Sequence, residues 1–133
     1  MGFFAKLLGI CNTPLPADSN CWSFTDGKIE VDLSLVRELS SPGGAVRLEG
    51  STLPRRVLVV RDKDGAYHAF PNRCTHMGHR RLDHLPDEGK IKCCSVGQSE
   101  FDYEGNRLSG SASEPIEPFR LEQGDEKLTI WLE

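Results

Sequence analysis

Val57-Leu58-Val59-Val60-Arg61-Asp62-Lys63-Asp64-Gly65-Ala66-Tyr67-His68-Ala69-Phe70 reads as a β-hairpin. Its first four residues are a continuous apolar run, short enough for one strand and suited to burial on both faces. Asp62-Lys63-Asp64-Gly65 supplies the turn, and Ala66–Phe70 returns as the partner strand. Upstream, Ala45–Glu49 is a short alternating strand, set off by the breaker Ser40-Ser41-Pro42-Gly43-Gly44. Asp32 is placed to cap a single helical turn over Leu33–Leu39. Before it, Trp22 and Phe24 alternate with polar residues, Asp26-Gly27 marks a turn, and Ile29 and Val31 resume the alternation. That is a second hairpin. At the other end Lys127–Leu132 alternates again, with Leu128, Ile130 and Leu132 on one face and Trp131 on the other. Many short strands joined by Gly/Pro turns predict an all-β domain, a small antiparallel sandwich or barrel.

The 133 residues suit one compact domain, long enough to bury a core without a disulfide scaffold. A composition of 38% hydrophobic and 27% charged residues is that of an ordinary globular protein. The net charge of −4 argues against nucleic acid as the main partner, since phosphate neutralisation needs a basic face. Five cysteines, an odd count at irregular positions, exclude a fully paired secreted framework and point to metal in a reducing compartment. Phe3–Ile10 is apolar but short and interrupted by Lys6, so no membrane span is expected, and the features of a signal peptide are missing. The chain is read as cytoplasmic. Residues 1–20 form an N-terminal tail with the linker Thr13-Pro14-Leu15-Pro16, and residues 21–133 form the domain.

Between about residues 71 and 118 the strand pattern breaks. This stretch has few apolar runs, yet it holds three of the four histidines and three of the five cysteines. Its first element is Cys74-Thr75-His76, followed by Met77-Gly78-His79; Gly78 permits the tight turn that brings a thiolate and an imidazole to one site. The second is Cys93-Cys94-Ser95-Val96-Gly97-Gln98-Ser99-Glu100-Phe101-Asp102. Two ligand-bearing loops at the tips of neighbouring hairpins suit an iron–sulfur cluster or a structural zinc.

From Trp22 onward, about four-fifths of its length, the chain resembles the Rieske iron–sulfur family. Cys74-Thr75-His76-Met77-Gly78 is similar to the first cluster loop of that family. Seventeen residues separate His76 from Cys94, a spacing the family uses. Aligning Phe101-Asp102 with the end of the family's second loop sets Cys94 on its cysteine, and Leu108-Ser109-Gly110 followed by Pro115 is similar to the third loop. The resemblance implies a Rieske-type β domain with a two-loop cluster-binding subdomain, a [2Fe-2S] cofactor, and Cys74, His76 and Cys94 as metal ligands. It also implies a ferredoxin-like role in electron transport for a redox protein partner, a reductase or an oxygenase, with the chain not an enzyme alone.

One position departs from the family. Gly97 stands where the second cluster histidine belongs; shifting the register by one residue puts Val96 there. An ordinary Rieske centre has two cysteines on one iron and two histidines on the other. Here the fourth ligand is left to Cys93, to His79 or His84, or to solvent or Gln98, or the cluster is altered or absent. Cys93 also has a plain reading as a small buried hydrophobe behind the loop. Accordingly, Cys93 and Gly97 stand with Cys74, His76 and Cys94 as cofactor-binding positions. Two further functions remain open: an accessory subunit of Rieske fold without a normal cluster, like the small subunit of nitrite reductase, and a mononuclear metal-binding module. Arg73, His79, Arg80 and Arg81 either steer an acidic partner or pair with Asp83, Asp87 and Glu88. His68 reads as a surface or cross-strand residue.

Overall fold

The computed structural model describes residues 13–73, 81–93, 99–109 and 115–132. Within them three antiparallel sheets are formed. The first joins β1 (Trp22–Thr25), β2 (Lys28–Asp32), β11 (Lys127–Trp131) and β10 (Arg120–Gly124) in that order. The second is β3 (Ala45–Leu48), β4 (Val57–Arg61) and β5 (Tyr67–Pro71). The third is a meander of β6 (Leu82–Leu85), β7 (Lys90–Cys93), β8 (Glu100–Phe101) and β9 (Arg107–Ser109).

The apolar run in β4 explains the layering. Val57, Leu58, Val59 and Val60 are all fully buried. Successive side chains of a strand face opposite ways, so a strand buried at every position needs cover on both faces. Val57 and Val59, with Val46, Leu48 and Ala69, pack against Ile29, Val31, Leu128 and Ile130 of the first sheet. Leu58 and Val60, with Phe70, pack against Leu82, Ile91, Cys93, Phe101 and Ile116 of the third. The middle sheet is therefore shared by two cores. The hairpin read from the sequence is present, with Val57 opposite Pro71 and Arg61 opposite Tyr67.

Three local outcomes refine the sequence reading. Asp26 and Gly27 both have positive φ, 55° and 77°, which is the twist a two-residue hairpin turn requires between β1 and β2. Asp32 caps as expected, its Oδ1 accepting from the Ser34 amide at 3.0 Å, but Leu33–Leu39 forms two 3-10 turns, Leu33–Leu35 and Arg37–Leu39. Residues 71–118, read as a ligand-rich insertion poor in core residues, contain a four-stranded sheet with a core of its own. Its apolar residues are single and scattered, so no run betrays them; they become a core by meeting the outer face of β4 and β5. Among the described residues no helix is long and apolar enough to cross a membrane.

Candidate metal centre

By topology alone the third sheet brings one end of each of its strands to the same side. In an antiparallel meander the start of β6, the end of β7, the start of β8 and the end of β9 lie on the same side. Residues 74–80 precede β6, 94–98 join β7 to β8, and 110–114 follow β9. The stems are tied together. The Leu82 amide donates to Asn72 Oδ1 at 2.7 Å, closing the first loop across its base. Leu82 is the register partner of Cys93, and the Cys93 amide donates to the Ser99 carbonyl at 2.7 Å, closing the second. Glu100 pairs with Ser109, where the third begins, and the Ser109 hydroxyl donates to Glu100 Oε1 at 3.0 Å. The Ile116 amide then donates to the Gly105 carbonyl at 2.8 Å, pinning the return of the third loop.

Of the residues expected to hold a cofactor, Cys74, His76, Cys94 and Gly97 lie outside the described residues, as do His79 and Gln98. Cys93 is described. Along β7 the order Lys-Ile-Lys-Cys puts Cys93 on the inner face beside Ile91, 2% exposed, within the second core. Its placement is that of a small apolar side chain beneath the loop stems. Ser99, whose carbonyl accepts from the Cys93 amide, and Phe101 are buried, and Leu108 is exposed. His84 sits two residues along β6 from the stem, its Nε2 joined to the Tyr103 hydroxyl at 2.7 Å; burial lowers its pKa from the ordinary imidazole value. His68 matches its plain reading: its Nε2 is 2.8 Å from Asp62 Oδ2 and its ring stacks on Tyr103 at 4.6 Å.

At the foot of the first loop, Arg81 takes a partner that the sequence reading did not name, while His79 and Arg80 lie outside the described residues. Arg81 does not pair with Asp83, Asp87 or Glu88. It grips Glu49 with two hydrogen bonds, Nε to Oε2 at 2.6 Å and Nη2 to Oε1 at 2.9 Å, while Arg47 adds a third at 3.0 Å. Asp83 accepts from the Thr13 amide at 2.9 Å, Asp87 pairs with Lys63, and Glu88 pairs with Lys90. The Arg81 hydrogen bonds, with those of Arg47, outweigh desolvation and hold the Glu49 carboxyl at about 2. Glu49 thereby fastens the exit of the first loop to the end of β3. Sequence reasoning missed this residue because the partners are 32 positions apart.

Asn72 was passed over as well. It is fully buried, its backbone amide donates to the Arg56 carbonyl at 2.9 Å, and its Oδ1 is taken by Leu82. Its Nδ2 is buried with no hydrogen-bond partner among the described residues. A buried donor of this kind costs about 1–3 kcal/mol unless something accepts from it. By sequence the two loops that leave these stems carry two thiolates and an imidazole, Cys74, Cys94 and His76, a donor set that suits a sulfide-bearing iron cluster.

The family model described as the Rieske [2Fe-2S] domain matches residues 30–120. No curated protein matches the sequence. Among solved structures, the cyanobacterial plasma membrane Rieske protein PetC3 from Synechocystis PCC 6803 is 25% identical, with a TM-score of 0.52 over 63% of this chain and 84% of that one. A chain from the complex of reduced oxygenase and oxidized ferredoxin in carbazole 1,9a-dioxygenase is 20% identical, with a TM-score of 0.58 over 69% and 83%. The quaternary ammonium Rieske monooxygenase CntA, with L-carnitine bound, is 20% identical, with a TM-score of 0.55 over 72% of this chain and 30% of that one. The last two likenesses are of fold alone.

Proposed function

The chain belongs to the Rieske [2Fe-2S] domain family, and from that membership we propose a ferredoxin-like protein that carries single electrons for a redox protein partner through a [2Fe-2S] cluster of atypical ligation. When bound, the cluster supplies a reversible one-electron couple. Cys74, Cys94 and His76 bind it. The stem contacts Asn72–Leu82 and Cys93–Ser99 hold the loops that carry them side by side. Leu82, Cys93, Phe101 and Ile116 form part of a buried core at the stems of these loops. The observation that carries the reading is this common stem beneath two ligand-bearing loops. A reductase or an oxygenase suits the partner; a fold likeness to a chain from an oxygenase–ferredoxin complex is in keeping with that class. We place the carrier in the cytoplasm.

The test is anaerobic purification followed by visible absorption, EPR of the reduced protein, and iron and sulfide analysis. About two irons and two sulfides per chain are expected. Cys74→Ser is expected to abolish the colour and Cys11→Ser to leave it; equal colour in both would overturn the ligand assignment. One observation favours a second reading, an accessory subunit without a normal cluster: Gly97 in place of the second histidine. A folded protein without iron or sulfide would decide for it.

A further inference from the structure

A groove of about 510 Å³ runs between the end of β5, residues 115–119 and the end of β11. Its apolar lining includes Ile116 and Leu132, both buried, and half-buried Phe119 and Trp131. The wall of residues 115–119 is fastened to the body of the protein at two points. The Ile116 amide donates to the Gly105 carbonyl at 2.8 Å and the Phe119 amide to the Ala69 carbonyl at 2.9 Å. The groove is thus formed before anything enters it, which lowers the ordering cost of binding.

Its charge runs against that of the chain. Arg55, Arg73 and Arg120, all exposed, line it with one carboxylate, Glu117, in a protein of net charge −4. Two of the arginines are held by their flat faces. The guanidinium carbon of Arg55 is 5.0 Å from the centre of the Phe119 ring, and that of Arg120 is 4.3 Å from the centre of Trp131. Stacking of this kind leaves the N–H edge of the guanidinium for a carboxylate. Arg55 and Arg73 make no ion pair among the described residues. Arg120 meets Glu122 at 3.0 Å, but both side chains are well exposed, so the pair is weak and exchangeable.

We propose that this groove docks an acidic segment of a partner protein, with carboxylates on Arg55, Arg73 and Arg120 and an apolar side chain between Phe119 and Trp131. That this partner is the redox protein rests on the proposed function, whereas the docking itself does not. A small free anion is the poorer occupant. Exposed guanidinium groups are screened by salt, and a single surface ion pair contributes little. An extended segment engages all three arginines and buries apolar surface as well. Arginine and tryptophan are also the residue types that dominate binding energy at protein interfaces. Arg73 immediately precedes Cys74, so a segment seated here brings its protein to the foot of the first loop.

The experiment follows the 15N-labelled full chain by NMR as a short peptide of alternating glutamate and leucine is added. The same peptide with glutamine for glutamate, and citrate alone, are the comparisons. The Trp131 indole signal is expected to shift and that of Trp22 to stay, with affinity falling as salt is raised. Arg55→Ala, Arg73→Ala and Arg120→Ala are each expected to weaken binding about two- to fivefold, and Arg37→Ala, at an exposed site elsewhere, to leave it unchanged. No response at Trp131 overturns the proposal from the parent protein alone. So does an equal response to the glutamine peptide, an equal affinity for citrate, or binding that survives intact in all three variants. A chain that binds the acidic peptide yet never carries iron or sulfide upholds the docking and overturns the electron-carrier reading instead.

Discussion

Glu49 balances the charge where the first loop returns to the body of the protein. Its ordinary value is 4.5 and the two arginines, Arg81 foremost, take it to about 2. A carboxyl lowered on folding contributes stability that is fully present above its unfolded value and is lost as pH falls through its folded value. Partly screened by solvent, the pairing is expected to contribute on the order of 1–2 kcal/mol at neutral pH. Glu49→Gln is therefore expected to lower the urea midpoint markedly at pH 7, with the gap to the parent narrowing below about pH 4.5 and closing near 2. A constant gap across that range would sink the assignment. Cys93 makes the complementary case. Cys93→Ala removes one buried sulfur from the second core, so a loss of about 1 kcal/mol is expected with the cluster absorption intact; a colourless, folded variant would make it a ligand. At this scale the sequence was half legible. The Lys-Ile-Lys-Cys alternation already turns Cys93 inward with Ile91. Nothing local reveals that Arg81 meets Glu49, because that pairing exists only once β3 and β6 are packed.

Among the elements, the turn after β8 governs where the third loop returns. Asp102 organises it, Oδ1 accepting from the Glu104 and Asn106 amides at 2.9 and 2.8 Å. Gly105 completes it with φ of +88°, a conformation that costs a side-chain-bearing residue about 1–2 kcal/mol. Space forbids the side chain as well: a Cβ there would lie 1.6 Å from the Ile116 carbonyl oxygen. Gly105→Ala must either push Ile116 out of the second core or open the turn. We expect a loss of at least about 2 kcal/mol by thermal or urea unfolding, with faster hydrogen exchange at the Ile116 amide; a variant as stable and as protected as the parent would refute this. Elements announced by alternation, β1, β2, β3, β5 and β11, were readable. β10 was not. Its Arg-Leu-Glu-Gln-Gly has one apolar residue and lies at a sheet edge, held by its ladder to β11 rather than by a buried face. β6 to β9 were hidden for a related reason: β6, β7 and β8 each bring only one or two apolar residues to a core assembled from distant segments, and β9 brings none.

Across the whole molecule, the middle sheet is the mechanical link between the sandwich and the loop-bearing sheet. The link follows from β4 alone: adjacent residues of one strand belong to different cores, Val57 and Val59 to one, Leu58 and Val60 to the other. That a strand was buried on both faces could be read from the run of four apolar residues. What covered each face could not, because the second cover is built from isolated side chains. The arrangement predicts that two neighbouring truncations act on different halves of the protein. Leu58→Ala leaves a cavity beneath Leu82, Ile91 and Phe101 and is expected to cost about 2–5 kcal/mol. Val59→Ala leaves a smaller one facing Ile29 and Ile130 and is expected to cost about 2 kcal/mol. Global stability therefore falls in both, and only the local pattern separates them. Native-state hydrogen exchange is expected to show Leu58→Ala lowering protection at Ile91 and Phe101, the strands that carry the second loop, beyond the global loss. Val59→Ala is expected to do the same at Ile29 and Ile130 instead. If both variants lose protection evenly over all four amides, the two cores unfold as one unit, and the loop stems cannot be tuned independently of the sandwich that supports them.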